Sequence, residues 1–235
     1  MISVCIATYN GENYIQEQIA SILTQLSDDD EIIISDDNST DKTIEILKSM
    51  NSSLIHIYRN DGEHGYTPNF ENALRYAKGD VIFLSDQDDV WKPNKVDIMI
   101  KALNESDFVV SDATIVDENL KTQLESFYAI RRPYKSLFGN LFKFGYLGCC
   151  FAFKRCIKDK SLPFPPNHKL CTHDNWLFLV AKMFYRVNIL DEKLVYYRRH
   201  HHNTSSGGTI NNTSVRFKIG YRIYLLYNLI RRISI

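Results

Sequence analysis

The stretch from Asp80 to Trp91 constrains this chain more than any other, because a strand-like run ends there in clustered carboxylates. Residues 81–84 are β-branched, aromatic or aliphatic and are bounded by turn signals, which predicts a short buried strand. Asp86, Asp88 and Asp89 follow within five residues. Carboxylates this close repel each other, and the repulsion grows steeply as water is excluded. A hard divalent cation such as Mg²⁺ or Mn²⁺ would relieve it and could share its coordination with substrate phosphates. A solvated acidic turn that caps the next helix is the alternative interpretation.

Size, charge and cysteine content exclude several classes of protein. The 235 residues are enough for one large α/β domain with a substantial core. Basic and acidic residues are equal in number, at 28 each, so no overall charge indicates a nucleic-acid partner. The five cysteines include no Cys-x-x-Cys pair, which favours reduced thiols in a cytosolic protein. The sequence shows no signal-peptide pattern and no apolar run near the ~20 residues of a bilayer span, so we expect a cytoplasmic protein.

Apolar strand-like runs alternate with helix-period segments in the first part of the chain. The predicted strands cover residues 2–7, 31–35, 54–58 and 81–84. This alternation predicts an α/β fold with a mostly parallel, twisted sheet flanked by helices. Polar residues follow three of the strands, at Thr8, at Asp36 and Asp37, and at the acidic turn. Folds of this class bind ligands at the carboxyl ends of their strands, so we expect these groups to line one rim.

The second part of the chain is less regular. The elements predicted there are a helix over 92–103, strands over 107–111 and 149–153, a helix over 173–184, and two short strands over 187–190 and 194–197. Residues 206–235 mix basic, aromatic and aliphatic side chains and predict an amphipathic helical extension to a domain of residues 1–205. This tail could lie on a membrane surface, or it could pack on the domain or on a partner subunit.

Five segments, in this order, resemble the family 2 glycosyltransferases, which have the Rossmann-like GT-A fold. The segments are residues 3–10, 34–41, 77–89, 148–151 and the pair His173-Asp174. Residues 85–91, the same His-Asp pair and residues 197–203 are most similar to bacterial rhamnosyltransferase-like members. The resemblance covers residues 2–203. It implies an inverting, metal-dependent transfer of a sugar, with rhamnose as one option, from a UDP- or dTDP-linked donor to a saccharide or lipid-linked acceptor in surface polysaccharide synthesis.

The resemblance also implies roles for single residues. The implied nucleotide-binding residues are Thr8, Tyr9, Asn10, Asp37, Asn69 and Asp86. Asp37 would accept a hydrogen bond from the imide N–H of uracil or thymine. Many members carry Arg where this chain has Asn69, so one basic contact is replaced.

Metal and catalytic roles follow from the same resemblance. Asp86, Asp88 and His200 match metal-binding positions for Mg²⁺ or Mn²⁺, with Asp88 in direct contact with the ion. Asp174 matches the catalytic base, which deprotonates the acceptor hydroxyl. The residue before this base is usually acidic in the family but is His173 here.

Several alternatives stay open on the sequence alone. Asp174 could instead cap a helix, and His200 could belong to a solvated loop. Gly148 and Trp176 are the candidate acceptor residues, the first through close backbone approach and the second by stacking on a sugar, although Trp176 could equally be core. A sugar-1-phosphate nucleotidyltransferase is an alternative enzyme, but residues 7–11 lack its Gly-rich, basic phosphate loop. A non-catalytic nucleotide-sugar-binding domain is the other alternative.

Overall fold

The computed structural model describes residues 1–200 and 214–234. Within these ranges the strands are β1 Ile2–Thr8, β2 Glu31–Asp36, β3 Ile55–Arg59, β4 Val81–Asp86, β5 Val90–Trp91, β6 Phe108–Val116, β7 Thr122–Leu124, β8 Phe151–Lys154 and β9 Val187–Arg198. The α-helices are α1 Ile15–Leu23, α2 Thr43–Ser49, α3 Tyr66–Tyr76, α4 Lys95–Leu103, α5 Phe127–Arg131, α6 Leu137–Phe142, α7 Arg155–Ser161, α8 His173–Phe184 and α9 Val215–Arg231.

The described strands form one sheet in the order β3-β2-β1-β4-β8-β6-β9-β5, with β7 paired to β6. β1 pairs in parallel with both β2 and β4, and β2 pairs in parallel with β3. β8 joins β4 to β6 through two antiparallel pairings, whereas β6 and β9 are parallel. The predicted α/β class with a mostly parallel sheet flanked by helices is therefore confirmed, and the antiparallel pairings lie in the less regular second part.

Burial in the core explains why the first strands are mostly apolar in sequence. All six residues of β2 are buried, and Val4, Cys5 and Ile6 of β1 are completely inaccessible. Strands covered by helices on both faces show no polar alternation. Ile15, Ile19 and Ile22 of α1 are also fully buried, and they form the helical spacing that predicted this element.

Some elements differ from the prediction for identifiable reasons. β9 is one strand rather than two, because the exposed residues Asp191, Glu192 and Lys193 interrupt its apolar pattern while its pairing to β6 continues past a register shift. The two-residue β5 and the fully exposed β7 carry no periodic signal. Cys149 and Cys150 lie in a 3₁₀ turn, and the strand expected there begins only at Phe151.

The tail helix α9 packs on the domain through one face. Leu225 and Leu229 are fully buried, and Arg232, just beyond the helix, donates to the carbonyl oxygens of Ser161 and Leu162. This face of α9 therefore packs on the domain, which is one of the alternatives that the sequence left open. Among the described helices, none has the length and apolar character that crossing a bilayer requires. The predicted boundary between residues 205 and 206 lies outside the described residues.

Candidate functional site

The carboxyl ends of β1, β2 and β4 meet at one rim, as the sequence predicts. In the strand register, Thr8 lies opposite Asp36, and Ala7 lies opposite Asp86. The Thr8 hydroxyl donates to Asp36 Oδ1 over 3.0 Å, which ties the ends of β1 and β2 together. The polar residues that follow separate strands therefore converge, because parallel strands in register end at the same edge.

Asp37 is held rigidly just past the end of β2. The residue is 7% exposed, and its two carboxylate oxygens accept from Asn60 Nδ2 and from the Gly65 amide, each over 2.8 Å. His64 Nδ1 lies 3.3 Å from Asp37 Oδ1. A carboxylate oxygen has two lone pairs, so this arrangement fixes the orientation of Asp37 and leaves acceptor capacity for a further N–H donor.

The β1–α1 loop is built by the other expected nucleotide-binding residues. The Tyr9 backbone exchanges two hydrogen bonds with the Gln87 side chain, and the Tyr9 residue is 54% exposed at the rim. Asn10 takes a left-handed φ of 48°, and its side-chain oxygen accepts from the Thr40 amide over 2.8 Å. Asn69 is buried and donates to the Thr8 carbonyl oxygen over 3.1 Å. In this structure Thr8, Asn10 and Asn69 hold the loop, whereas Tyr9 is largely exposed.

Burial and mutual repulsion dominate the acidic turn after β4. Burial, reinforced by the negative charges of Asp88 and Asp174, raises the pKa of Asp86 to about 7. Burial and the same kind of repulsion raise the pKa of Asp89 well above its usual range. Asp89 is fully buried, and its Oδ2 has no hydrogen-bond partner among the described residues. A bound cation would favour the charged carboxylates, so the donor chemistry of this turn fits a divalent metal.

Two ligand sets are geometrically available at this turn. Ligand atoms of Asp86, Asp89 and Cys149 all lie within 4.8 Å of one another. However, the Cys149 thiol stays protonated, because its hydrogen bond with Cys150 and its burial raise its pKa. A hard ion also prefers oxygen ligands to sulfur. The Asp88 side chain is 16% exposed, and its Oδ2 atom lies 2.8 Å from His200 Nε2. The chemistry therefore favours Asp86 and Asp88, with His200 in contact with the second carboxylate.

Two basic residues that sequence analysis did not single out support this turn. Lys95 is fully buried in α4, donates to the Cys149 carbonyl oxygen over 2.8 Å, and lies 4.2 Å from the centre of the Trp91 ring. Arg198 ends β9; its amide donates to Asp89 Oδ1 over 2.9 Å and its Nε to the Asp88 carbonyl oxygen over 2.8 Å. A lysine among the apolar positions of α4 was the available signal for Lys95, whereas Arg198 depends on pairing far along the chain.

Asp174 lies in the first turn of α8, close enough to the acidic turn for its charge to act on Asp86. The N-cap of α8 is Thr172, so the helix-cap alternative for Asp174 is wrong. Asp174 Oδ1 accepts from the Asn175 amide over 2.7 Å and also from the Thr172 hydroxyl. The Asp174 charge acts on Asp86, and it also contributes, after burial, to a raised pKa of Tyr66. Tyr66 directly follows Gly65, whose amide binds Asp37, so the start of α3 is near both Asp37 and Asp174.

The expected acceptor residues have other surroundings. A Cβ at Gly148 would lie 2.8 Å from His173 Nε2 and 3.3 Å from Asp174 Cβ, so the missing side chain allows the start of α8 to pack there, and the acceptor role of Gly148 stays a prediction. Trp176 is fully buried and its indole N–H donates to the Ser161 carbonyl oxygen over 2.9 Å. The expectation that Trp176 stacks on an acceptor is therefore wrong, because no face of its ring is accessible.

The parallel rim, the carboxylate turn and the acidic residue opening α8 together define a domain of the GT-A class. The family model described as glycosyl transferase family 2 matches residues 3–161, and the chain belongs to glycosyltransferase family 2.

Curated relatives from bacteria share this family. The chain is 28% identical over 207 residues to an uncharacterised glycosyltransferase of Nostoc sp., covering 83% of this chain and 63% of the relative. It is 29% identical to the UDP-Glc:alpha-D-GlcNAc-diphosphoundecaprenol beta-1,3-glucosyltransferase WfgD of Escherichia coli, covering 76% and 68%. It is 30% identical to the dTDP-rhamnosyl transferase RfbG of Shigella flexneri, covering 75% and 64%. The chain thus spans less than two thirds of the length of the Nostoc and Shigella relatives.

Solved structures share the fold. TarS 1-349 of S. aureus in complex with UDP-GlcNAc aligns with a TM-score of 0.69 at 20% identity, covering 98% of this chain and 72% of that one. Glucosyl-3-phosphoglycerate synthase from Mycobacterium tuberculosis, in complex with Mn²⁺, UDP and glucosyl-3-phosphoglycerate, aligns with a TM-score of 0.63 at 18% identity, covering 100% and 80%. These similarities support the GT-A architecture of the chain.

Proposed function

We propose that this chain is an inverting, divalent-metal-dependent glycosyltransferase that moves a sugar from a UDP- or dTDP-linked donor to a hydroxyl of a saccharide or lipid-linked acceptor. The observation that carries the proposal is the electrostatic coupling of three carboxylates from two distant segments. The charges of Asp88 and Asp174 both act on Asp86, so acidic groups of the turn and of α8 are close together, which supports a shared site. Perturbed acidic groups gathered in this way mark functional sites more often than structural ones.

The metal-binding part of the proposal rests on Asp86 and Asp88. These two carboxylates would hold Mg²⁺ or Mn²⁺, and His200 would complete the site or orient Asp88. The ion would supply positive charge to the departing nucleoside diphosphate. The M. tuberculosis neighbour was solved with Mn²⁺ and UDP together, which supports a metal in a fold of this kind.

Asp174 would act as the general base. The acceptor hydroxyl oxygen attacks the anomeric carbon from the face opposite the diphosphate, the bond from that carbon to the diphosphate oxygen breaks, and the hydroxyl proton passes to the Asp174 carboxylate. A single displacement of this kind inverts the anomeric configuration. The hydrogen bonds from the Asn175 amide and the Thr172 hydroxyl to Oδ1 orient the Asp174 carboxylate for this step. General-base catalysis typically contributes ~10²–10⁴-fold to the rate.

Asp37 would select the donor base. Uracil and thymine both present an imide N–H, and the fixed Asp37 carboxylate could accept it. The names of WfgD and RfbG state a UDP-glucose and a dTDP-rhamnosyl donor, respectively, which supports both nucleotides as candidates. The same two relatives support a place in bacterial surface polysaccharide synthesis, and the diphosphoundecaprenol acceptor of WfgD supports a lipid-linked acceptor. Rhamnose is one candidate sugar within this proposal.

A donor panel tests the proposal. UDP-glucose, UDP-GlcNAc and dTDP-rhamnose are incubated with the protein and Mg²⁺, Mn²⁺ or EDTA, and thermal protection and donor hydrolysis are measured. We expect at least one donor to give metal-dependent protection and slow release of UDP or dTDP. Release of pyrophosphate from a nucleoside triphosphate and a sugar 1-phosphate would instead identify a nucleotidyltransferase. Donor binding without turnover, even with a panel of acceptors, would contradict the enzymatic proposal in favour of a binding domain.

A further inference from the structure

The outer face of α9 exposes an apolar stripe that the domain does not cover. The exposed fractions are 51% for Ile219, 63% for Ile223, 43% for Leu226 and 53% for Ile230. Their spacing of four, three and four residues places all four on one side of the helix. A second side, about 110° around the helix axis at 3.6 residues per turn, carries Leu225 and Leu229, which are fully buried. The helix is therefore fixed by one side and presents a second apolar side outward.

Exposed aromatic residues of α6 extend this surface. Phe138 is 77% exposed and Phe142 is 63% exposed. Arg222 of α9 donates to the Phe142 carbonyl oxygen over 2.7 Å, and its guanidinium lies 4.5 Å from the centre of the Phe142 ring. The two helices are thus joined through Arg222 and Phe142. We call the exposed apolar residues of α6 and α9, with the basic residues around them, the tail face.

The charge of the tail face is one-sided. Residues 127–147 and 214–234 together contain nine basic residues and no acidic one, although basic and acidic residues are equal in number over the whole chain. Arg216, Arg231, Lys135 and Lys143 are exposed among them. Self-association through α9 would bring like charges together, which is unfavourable in the absence of any acidic partner on the helix. Charge complementarity instead selects an anionic surface.

We infer that the tail face docks on an anionic lipid bilayer, with α9 parallel to the membrane. A helix with an apolar side and basic residues around it gains apolar burial at the interface together with attraction to anionic headgroups. The buried contacts of Leu225 and Leu229 keep α9 on the domain, so docking needs no helix insertion across the bilayer.

The tail face is connected to the start of α8. The Tyr221 hydroxyl of α9 accepts from Asn175 Nδ2 over 3.1 Å, one residue after Asp174. The Tyr224 hydroxyl accepts from the Asn167 amide over 2.9 Å in the loop before α8. A docked tail would hold the start of α8, with Asp174, near the lipid surface. This last consequence rests on the proposed function, because it matters only for a lipid-linked acceptor.

Vesicle flotation tests the docking. The full chain is mixed with vesicles of phosphatidylcholine alone or of phosphatidylcholine with phosphatidylglycerol, at low and high NaCl. We expect flotation only with the anionic vesicles, and weaker flotation at high salt. Replacing Arg216, Lys218 and Arg231 by Gln should weaken binding about 100-fold, because each basic residue near an anionic surface contributes about one factor of five. The matched control replaces the exposed Lys48, Lys101 and Lys121 by Gln, which removes the same charge elsewhere and should leave binding unchanged.

Apolar variants separate docking from simple charge attraction. Ile223→Ser with Ile230→Ser should weaken vesicle binding at least about tenfold, whereas Leu124→Ser, at a residue 47% exposed on β7, should not. Thermal unfolding checks that each variant is folded. Equal binding to both vesicle types, no loss in the tail-face variants, or concentration-dependent dimerisation without vesicle binding would each overturn the inference. The assay contains no sugar nucleotide, so its failure and a failure of the transferase proposal are distinguishable.

Discussion

Replacing Asp174 by Asn tests the assignment of the base most directly. The amide keeps the shape of the side chain but cannot accept the acceptor proton, so turnover should fall ~10²–10⁴-fold. Stability should change little. Asp174 is not the N-cap, and a carboxylate in the first turn of a helix contributes only ~0.3–1 kcal/mol through the helix dipole. Removal of its repulsion with Asp86 offsets part of that loss.

The same substitution should not lower metal affinity, in contrast to its effect on turnover. Because the Asp174 charge helps to raise the pKa of Asp86, its removal lowers that pKa. Asp86 is then deprotonated over a wider pH range, so Mn²⁺ affinity near neutral pH should be retained or increased. A residue that acts only as base should therefore lose turnover without losing metal.

The assay measures UDP or dTDP release with a donor and acceptor found in the panel, alongside Mn²⁺ and UDP binding by calorimetry. Asp97→Asn is the matched control, because Asp97 is an exposed acidic residue in the first turn of α4. We expect wild-type turnover for this control. Turnover of Asp174→Asn within about threefold of wild type would refute the base assignment, since general-base loss is larger. A parallel loss of Mn²⁺ affinity and turnover would identify Asp174 as a metal ligand instead.

Four further substitutions test the remaining parts of the site. His200→Ala should weaken Mn²⁺ binding about 10–100-fold through its contact with Asp88; unchanged affinity would remove His200 from the site. Asp37→Asn should weaken UDP binding about tenfold or more while leaving Mn²⁺ affinity intact, because the base N–H loses its hydrogen bond to a charged carboxylate. The same UDP affinity in variant and wild type would contradict base recognition by Asp37. Gly148→Ala should lower kcat more than donor affinity, since the new methyl group displaces His173 and Asp174, and wild-type kcat would show that the start of α8 tolerates the shift. Burial lowers the pKa of His173 below its usual 6.5, so the unfolded state binds more protons and the unfolding free energy should fall below pH 6.5 by up to ~1.4 kcal/mol per pH unit. Urea unfolding of wild type and His173→Asn at two pH values measures that fall, and an identical pH dependence of the two proteins would count against it.

The first part of the fold was predictable because its signals are local. Residues 32–34 of β2 and 81–84 of β4 are apolar without interruption, residues 2–7 of β1 contain one polar residue, Ser3, and helices between these strands keep a 3.6-residue period. The convergence of Thr8 and Asp86 at one rim follows from parallel pairing alone. Local sequence also contained the turn with Asp88 and the start of α8, since both are continuous in the chain.

The rest depends on contacts between distant segments. The sequence near Lys95 does not indicate that its ammonium group donates a hydrogen bond to the carbonyl oxygen of Cys149, 54 residues away. Trp176 has an apolar ring and a polar N–H, and a buried carbonyl partner at Ser161 allows it to enter the core. The expectation that Trp176 stacks on a sugar was wrong because a tryptophan can occupy either the core or an exposed sugar site. Only its partners in the fold, which the sequence does not show, decide between the two.

Arg198 joins segments that are far apart in the chain. It contacts Asp88 and Asp89 through main-chain and side-chain donors, pairs with Glu17 of α1, and donates to the Glu118 carbonyl oxygen over 2.6 Å. During synthesis, residues 1–91 leave the ribosome before Arg198, the last residue of β9, has been made. The acidic turn therefore lacks the Arg198 contacts at that stage. The acidic turn should therefore acquire its native geometry late in biogenesis, and a fragment that stops before β9 should bind Mn²⁺ poorly even where its first strands have folded.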